Sequence, residues 1–301
     1  MKSGLERSSW SEYVITRLIR LTGASAIVFV VMIFVFLFGQ GAPALAEVSL
    51  SNLLSLRWYP IESHFGMVPL LSGSAIVTLG AALLAVPLGL ATALFIAEVV
   101  PRWVREVLKP LVELLAGLPS VMLGFLGIVV LAPRLYAVLG LPTGLTALTG
   151  ALLLAWIAIP TIVSVAEDAL DSVPRTYREA ALALGATRWQ TIWRVTLPAA
   201  RSGVLTAIML GIGRALGETM AVMMVTGNAP VVLSGLSSLL SPVRTMTATI
   251  AAEMGEVANG STHYHTLFLI GILLFVISLA INLAAASVVF RMRTRAERVL
   301  S

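Results

Sequence analysis

The chain has 301 residues, of which 58% are hydrophobic and only 12% charged, and a mean hydropathy of +0.96; such a balance excludes a soluble globular domain and places the protein in a bilayer. The formal net charge of +5 would suit nucleic acid, but the basic residues fall in short runs beside apolar segments, where membrane topology accounts for them. With no cysteine, a disulfide framework, a thiolate metal site and a cysteine nucleophile are all excluded.

A hydrocarbon core needs roughly 20 apolar residues per crossing helix. Six segments qualify: 21–38, 70–99, 111–131, 145–165, 203–226 and 267–290. Before the first lies a tail, residues 1–20; after the last lies another, 291–301. The basic start, the apolar run and Ala44-Leu45-Ala46 have the three parts of a cleaved signal, but the run is longer than a usual signal core, so the segment is read as a retained anchor. The second segment exceeds the required length and holds Pro87 and Gly89, which predicts a kink or a strong tilt. No linker divides residues 21–290, which read as one transmembrane domain.

Orientation follows from the cations. Lys2, Arg7, Arg17 and Arg20 precede the first span; Arg102, Arg105 and Lys109 lie between the second and third; Arg175, Arg178, Arg188, Arg194 and Arg201 lie between the fourth and fifth; Arg291, Arg293, Arg295 and Arg298 end the chain. The opposite loops hold Arg57, Arg134 and Arg244. Cytoplasmic loops carry the excess of Lys and Arg, so both termini and the fourth-to-fifth loop are predicted to be cytoplasmic.

That loop, 174–199, is the most polar stretch inside the domain. Tyr177 to Leu184 favours helix, Gly185 ends it by accepting a left-handed conformation, and a second helix follows with Trp189, Ile192, Trp193 and Thr196 on one stripe, closed by Pro198. Such an element can lie on lipid headgroups or meet a soluble partner.

In the fifth span, Gly213-Arg214-Ala215-Leu216-Gly217-Glu218-Thr219-Met220 places an arginine and a glutamate four residues apart in an apolar helix. They share a face and are placed to pair. Ionisable residues at bilayer depth face a bundle interior or a water-filled path. One reading is an ion pair that fixes helix rotation; the other is an anion site at Arg214, with Glu218 holding the arginine when the site is empty. Ser120 and Thr219 are candidate hydroxyl donors, or caps of their own helices. Gly213 and Gly217 read as small residues for close helix packing.

Elsewhere the bland readings prevail. Glu167, Asp168 and Asp171, beside Arg175 and Arg178, read as a solvated salt-bridged face, and so do Glu98 and Glu113 around the loop of Arg102, Arg105 and Lys109. His64, His263 and His265 read as solvated loop histidines rather than metal ligands. A phosphate-binding loop needs a lysine after its glycines, and the only lysines are Lys2 and Lys109. No nucleophile motif is present, so the chain is not expected to be an enzyme.

Two motifs carry a resemblance. Glu179-Ala180-Ala181, three residues, Gly185, nine residues, then Val195-Thr196-Leu197-Pro198 resembles the cytoplasmic signature of the permease subunits of ABC importers; Val195 stands where isoleucine is more usual. Within that family, Gly213 to Val222 followed by Gly227-Asn228, with Trp58-Tyr59-Pro60, Phe65-Gly66-Met67-Val68-Pro69 and Ala251-Ala252-Glu253-Met254-Gly255-Glu256, resembles the phosphate-specific permeases of the PstC type, although Leu71-Ser72-Gly73-Ser74 departs from them.

The resemblance implies an all-α integral membrane protein with the ABC type I importer permease fold, six transmembrane helices and coupling helices between spans four and five. Glu179, Ala180, Ala181, Gly185, Leu197 and Pro198 would couple to an ATPase, while Arg214, Glu218, Thr219 and Ser120 would line the phosphate pathway. The implied partners are a second, PstA-type permease subunit, two copies of an ATPase and an extracytoplasmic phosphate-binding protein docking on the loops 52–67 and 227–264. No cofactor is expected, since ATP would be used by the partner, and the expected location is the bacterial inner membrane. A permease for sulfate or molybdate, a proton-coupled secondary transporter and a non-transporting scaffold or sensor are the alternatives.

Overall fold

The structure is a computed structural model that describes residues 6–232 and 235–300, with side chains from 12 to 289 apart from 236 and 237. Lys2 lies outside the described residues, as do the side chains of Arg7, Arg291, Arg293, Arg295 and Arg298.

The chain begins with α1 (Glu6–Glu47) and a single turn, α2 (Leu50–Leu53). A small hairpin, β1 (Trp58–Tyr59) and β2 (His64–Phe65), pairs antiparallel with Trp58 opposite Phe65. There follow α3 (Val68–Leu94), α4 (Arg102–Ala116), α5 (Ser120–Leu126), α6 (Ala132–Leu139) and α7 (Ala147–Asp171). The last group is α8 (Arg175–Ala183), α9 (Arg188–Thr191), α10 (Leu197–Gly217), α11 (Met220–Val225), α12 (Met246–Glu253) and α13 (Thr262–Leu300).

Among the described residues, six helical stretches are long and apolar enough to cross a membrane: Glu12–Glu47, Val68–Val99, Ser120–Leu139, Ala147–Asp171, Arg188–Gly217 and Thr262–Val289. The third differs from its predicted bounds. Residues 111–116 belong to α4, which places Arg102, Arg105, Glu106, Lys109 and Glu113 at helical spacing along a charged face, and Gly117 and Pro119 then break the chain before α5. Glycine and proline end the amphipathic helix where propensity fails, so the crossing starts at Ser120.

The α7 helix is the hub, packed against α3 and α10, while α1 pairs with α13 at the side of the bundle. Close approach is set by glycine. A Cβ on Gly211 would collide with Ile162 Cγ1, and one on Gly89 would sit 2.9 Å from Ile162 Cγ2, so the fully buried Ile162 fills notches on both neighbouring helices. Gly213 and Gly217, expected to pack closely, instead have open space, with nothing within 4 Å of where a Cβ would stand. The packing glycine Gly211 lies on the side of α10 that faces α7, away from Gly213.

Three turns are widened to π geometry, at Phe95–Val99, Gly127–Leu131 and Ile192–Thr196. Each is closed by an i→i−5 bond from Val100, Ala132 or Leu197, and each of those residues precedes a proline: Pro101, Pro133 and Pro198. A proline lacks the amide donor and its ring crowds the carbonyl four residues back; a wider turn just ahead accommodates both. Consequently Pro198 does not close the second helix of the 174–199 segment. The helical path runs through it from Arg188 to Gly217.

At the end of the bundle formed by the hairpin and α12, Glu253 collects three donors. Arg244 Nη1 lies at 2.6 Å and Trp58 Nε1 at 3.2 Å from Oε1, and His263 Nε2 lies 2.8 Å from Oε2. His265 Nδ1 lies 2.7 Å from the Gln40 carbonyl oxygen. These two histidines are therefore built into α13 and its contacts rather than solvated in a loop, because α13 starts at Thr262.

Candidate functional site

At the opposite end, α7 finishes in carboxylates that grip α4. Glu167, 1% exposed, accepts from Arg105 Nε at 2.6 Å and Lys109 Nζ at 2.8 Å. Asp168 pairs with Lys109, and Asp171 accepts from Arg105 Nη1 at 2.9 Å. Asp168 first, then Glu167, hold the Lys109 ammonium above the ordinary lysine range. The expected solvated face with Arg175 and Arg178 is thus corrected: the partners come from α4, and Glu167 is interior because α4 covers it. Glu98 is likewise taken by a residue outside its own neighbourhood in sequence, Arg178.

Arg178 is the fastener of the 174–199 segment. Its Nη2 donates to Glu98 Oε1 at 2.8 Å and to the Leu170 carbonyl at 2.8 Å, and its Nη1 donates to the Val173 carbonyl at 3.0 Å. One guanidinium therefore joins α8 to the last turn of α7 and to the turn that ends α3, a basic side chain bonding the last carbonyls of a helix. Beyond it, α8 holds Glu179 and Ala180 exposed and Ala181 half-buried. Gly185 has φ +86° and open space around it, so the reversal rests on its left-handed backbone. Thr187 and Gln190 then form a reciprocal capping box at the start of α9. Thr187-x-x-Gln190 was readable in the sequence as a helix start; Arg178 had no such signal, since its partners are two carbonyls and a distant glutamate.

The tip exposes apolar side chains beside Arg188 and Arg194. Trp189 and Trp193 stack edge to face with centroids 5.7 Å apart, and Leu184 is 88% exposed. Leu197 is half-buried and Pro198 exposed on the first turn of α10.

Inside the bundle the predicted Arg214–Glu218 pair does not form. The helix α10 ends at Gly217, and Glu218 has an extended backbone, φ −68° and ψ 129°, so the one-turn spacing that would align the two side chains is lost. Glu218 Oε1 instead accepts from the amides of Thr219 at 3.2 Å and Ala221 at 3.3 Å, capping α11. Its backbone carbonyl accepts from Thr247 Oγ1 at 3.1 Å, tying the break to α12. Thr219 Oγ1 donates to the Gly217 carbonyl at 3.2 Å.

Arg214, half-buried, donates from Nη2 to the Ala116 carbonyl at 2.7 Å and from Nη1 to Thr161 Oγ1 at 3.1 Å. Ala116 is the last residue of α4, and Thr161 stands near the middle of α7. No carboxylate pairs with Arg214 among the described residues. A central arginine costs roughly 3 kcal/mol on insertion scales, and hydrogen bonds to a charged group return about 1.5–3 kcal/mol each, so the two contacts suffice to keep it there. Ser120 opens α5 just beyond the helix whose end Arg214 caps. Ala116 and Thr161 were missed from the sequence, because neither a backbone carbonyl nor a lone threonine after Pro160 carries a pattern.

Comparison with known proteins agrees with this geometry. Residues 85–294 match the family described as "Binding-protein-dependent transport system inner membrane component". The "Probable ABC transporter permease protein YqgH" of Bacillus subtilis (strain 168) is 43% identical over 228 residues, 75% of this chain and 73% of that protein. The "Phosphate transport system permease protein PstC" of Mesorhizobium japonicum is 37% identical over 296 residues, 91% of this chain and 89% of that protein. A chain in the crystal structure of a bacterial ABC transporter that imports the acidic polysaccharide alginate superposes with a TM-score of 0.64 at 18% identity, over 95% of this chain and 98% of that one. That likeness bears on the fold, which is that of an ABC type I importer permease.

Proposed function

The chain belongs to the binding-protein-dependent transport inner-membrane family, and from that premise we propose that it is a permease subunit of an ATP-driven inorganic phosphate importer. As a member of that family it is a multi-pass membrane subunit rather than an enzyme, and it works with an ATPase and a substrate-binding protein. ATP is used on the ATPase, in keeping with the absence of any lysine that could follow a phosphate-binding loop. The second permease subunit is of the PstA type, and the ATPase is present in two copies.

Relatives named as phosphate transport permeases support the substrate. The observation that carries the site is Arg214: a half-buried guanidinium without a carboxylate among the described residues, fixed by Ala116 and Thr161 and retaining donors for an oxyanion. Thr219 follows it by five residues, and Ser120 follows its partner Ala116 by four. Glu218 shapes the path by capping α11 rather than by neutralising the arginine.

Coupling falls to Glu179, Ala180, Ala181, Gly185, Leu197 and Pro198. The apolar tip of Leu184, Trp189 and Trp193 meets the ATPase, and Arg178 passes the displacement to α7 and α3. Because the helical path is unbroken from Arg188 to Gly217, a push at the tip reaches Arg214 along one rod. ATP binding closes the ATPase and opens the bundle outward; hydrolysis resets it. The 174–199 end, and with it both termini, is cytoplasmic.

Arg214→Gln in the reconstituted complex is expected to abolish phosphate uptake while assembly and ATP binding persist. Uptake at the normal rate by that variant overturns the site. Uptake by the unaltered complex that sulfate or molybdate inhibits as effectively as phosphate itself overturns the substrate.

A further inference from the structure

Among the described residues, seven threonines in or at the end of helices turn their hydroxyls back on their own helix. Thr22, Thr92, Thr191, Thr206, Thr226, Thr249 and Thr266 each donate to the carbonyl four residues earlier, at 2.7–3.1 Å. That is the ordinary fate of a threonine whose helix lies in apolar surroundings, since the hydroxyl has no other partner. Thr161 departs from them. Its oxygen accepts from Arg214 Nη1 at 3.1 Å, and no backbone carbonyl receives its proton among the described residues.

The consequence is a matter of counting hydrogens. A hydroxyl has one donor and two acceptor positions. The Arg214 contact uses an acceptor position and leaves the proton of Thr161 unspent. On the guanidinium, one N–H of Nη1 and one of Nη2 are used, which leaves the remaining N–H of each and that of Nε. The two partners of Arg214 sit on different helices, α7 and the end of α4, so the guanidinium plane is fixed at two points. Thr161 is half-buried rather than sealed, and its free donor lies within one hydrogen bond of the free donors of Arg214.

We propose that Thr161 is a further anion-binding residue of the transport path: its hydroxyl holds the Arg214 guanidinium and donates its own proton to the same oxyanion. This rests on the assignment of Arg214 to the phosphate path and extends it to a residue on a different helix. The anion thereby bridges α7 and α10.

The test exploits the chemistry of the two conservative replacements. Valine keeps the shape of threonine and removes the hydroxyl; serine keeps the hydroxyl and removes the methyl. In the assembled complex in proteoliposomes, supplied with phosphate-loaded binding protein, Thr161→Val is expected to lower the phosphate uptake rate about tenfold, the size of one charge-assisted hydrogen bond. Thr161→Ser is expected to stay within about twofold of the unaltered protein by the same reasoning.

A packing role predicts the reverse order, with valine active and serine impaired, and that result overturns the proposal. Full activity of Thr161→Val overturns it, and so does equal loss in both variants, because serine retains the hydroxyl. Arg214→Gln is run alongside. If it transports normally, the phosphate-site reading itself has failed; if it is inactive while Thr161→Val is active, only the role of Thr161 has failed.

Discussion

Glu167 shows how one residue is stabilised by what covers it. Its side chain is 2% exposed and meets both Arg105 and Lys109, whereas Asp168 beside it is 61% exposed and shares only Lys109. Removing a carboxylate from the interior leaves two cations facing a gap, while removing the exposed one forfeits a contact that water already screens. Glu167→Ala is therefore expected to destabilise the chain by roughly 1–3 kcal/mol, and Asp168→Ala by less than about 1 kcal/mol. Thermal unfolding of the two variants in detergent, followed by α-helical circular dichroism, separates them; equal melting temperatures would show that α4 does not cover Glu167. At this scale the sequence was legible as far as residue type. Arg214 was found because an arginine in an apolar run is anomalous, but its partners were assigned from an i, i+4 spacing that presumes an unbroken helix. The chain breaks at Glu218, and a carboxylate that can cap the following helix is the reason that no helix propensity could reveal.

At the scale of elements, α10 has two different sides. One side presents Gly211 to Ile162 and Gly203 to Ala169, where added methyls would collide with the side chains opposite. The other presents Gly213 to open space. Overpacking a tight contact costs about 1–3 kcal/mol, whereas an unobstructed Gly→Ala within a helix gains up to about 1 kcal/mol from propensity. Gly211→Ala should thus lower the melting temperature of the isolated chain, and Gly213→Ala should hold or raise it. A drop for Gly213→Ala alone would reverse the assignment of the two faces. The sequence made these glycines equivalent, because a small residue is a small residue until the helix is rotated into place. It also merged the end of α4 with the third crossing, since Leu111, Leu114 and Leu115 run on toward the apolar stretch after Ser120; the charges from Arg102 to Glu113 were the signal for a separate amphipathic helix. What was legible was the pair of helices around Gly185, because a positive φ demands a particular residue type, whereas Pro198, read as the end of the second helix, is passed by a wider turn.

At the scale of the whole molecule, the alternation of long helices fixes which loops share a side once one is placed. Traversing the six spans in order brings 48–67, 140–146 and 218–261 to one end and 100–119 with 172–187 to the other. The second end carries Arg102, Arg105, Lys109, Arg175 and Arg178, the first Arg57 and Arg244, and cations are retained on the cytoplasmic side. The chain has no cysteine, which makes the orientation directly measurable with single introduced thiols. Glu62, exposed after β1, and Glu106, exposed on α4, make no ion pair among the described residues. In cells whose outer barrier has been opened, a membrane-impermeant maleimide is expected to label Glu62→Cys at once and Glu106→Cys only after the inner membrane is disrupted. The reverse order would place the 174–199 segment outside, away from any source of ATP, and the coupling role proposed for Arg178 and the tryptophan tip would fall with it. Labelling of both before disruption would mean that the bilayer does not separate α4 from the β1–β2 hairpin, which the crossing of α3 between them argues against.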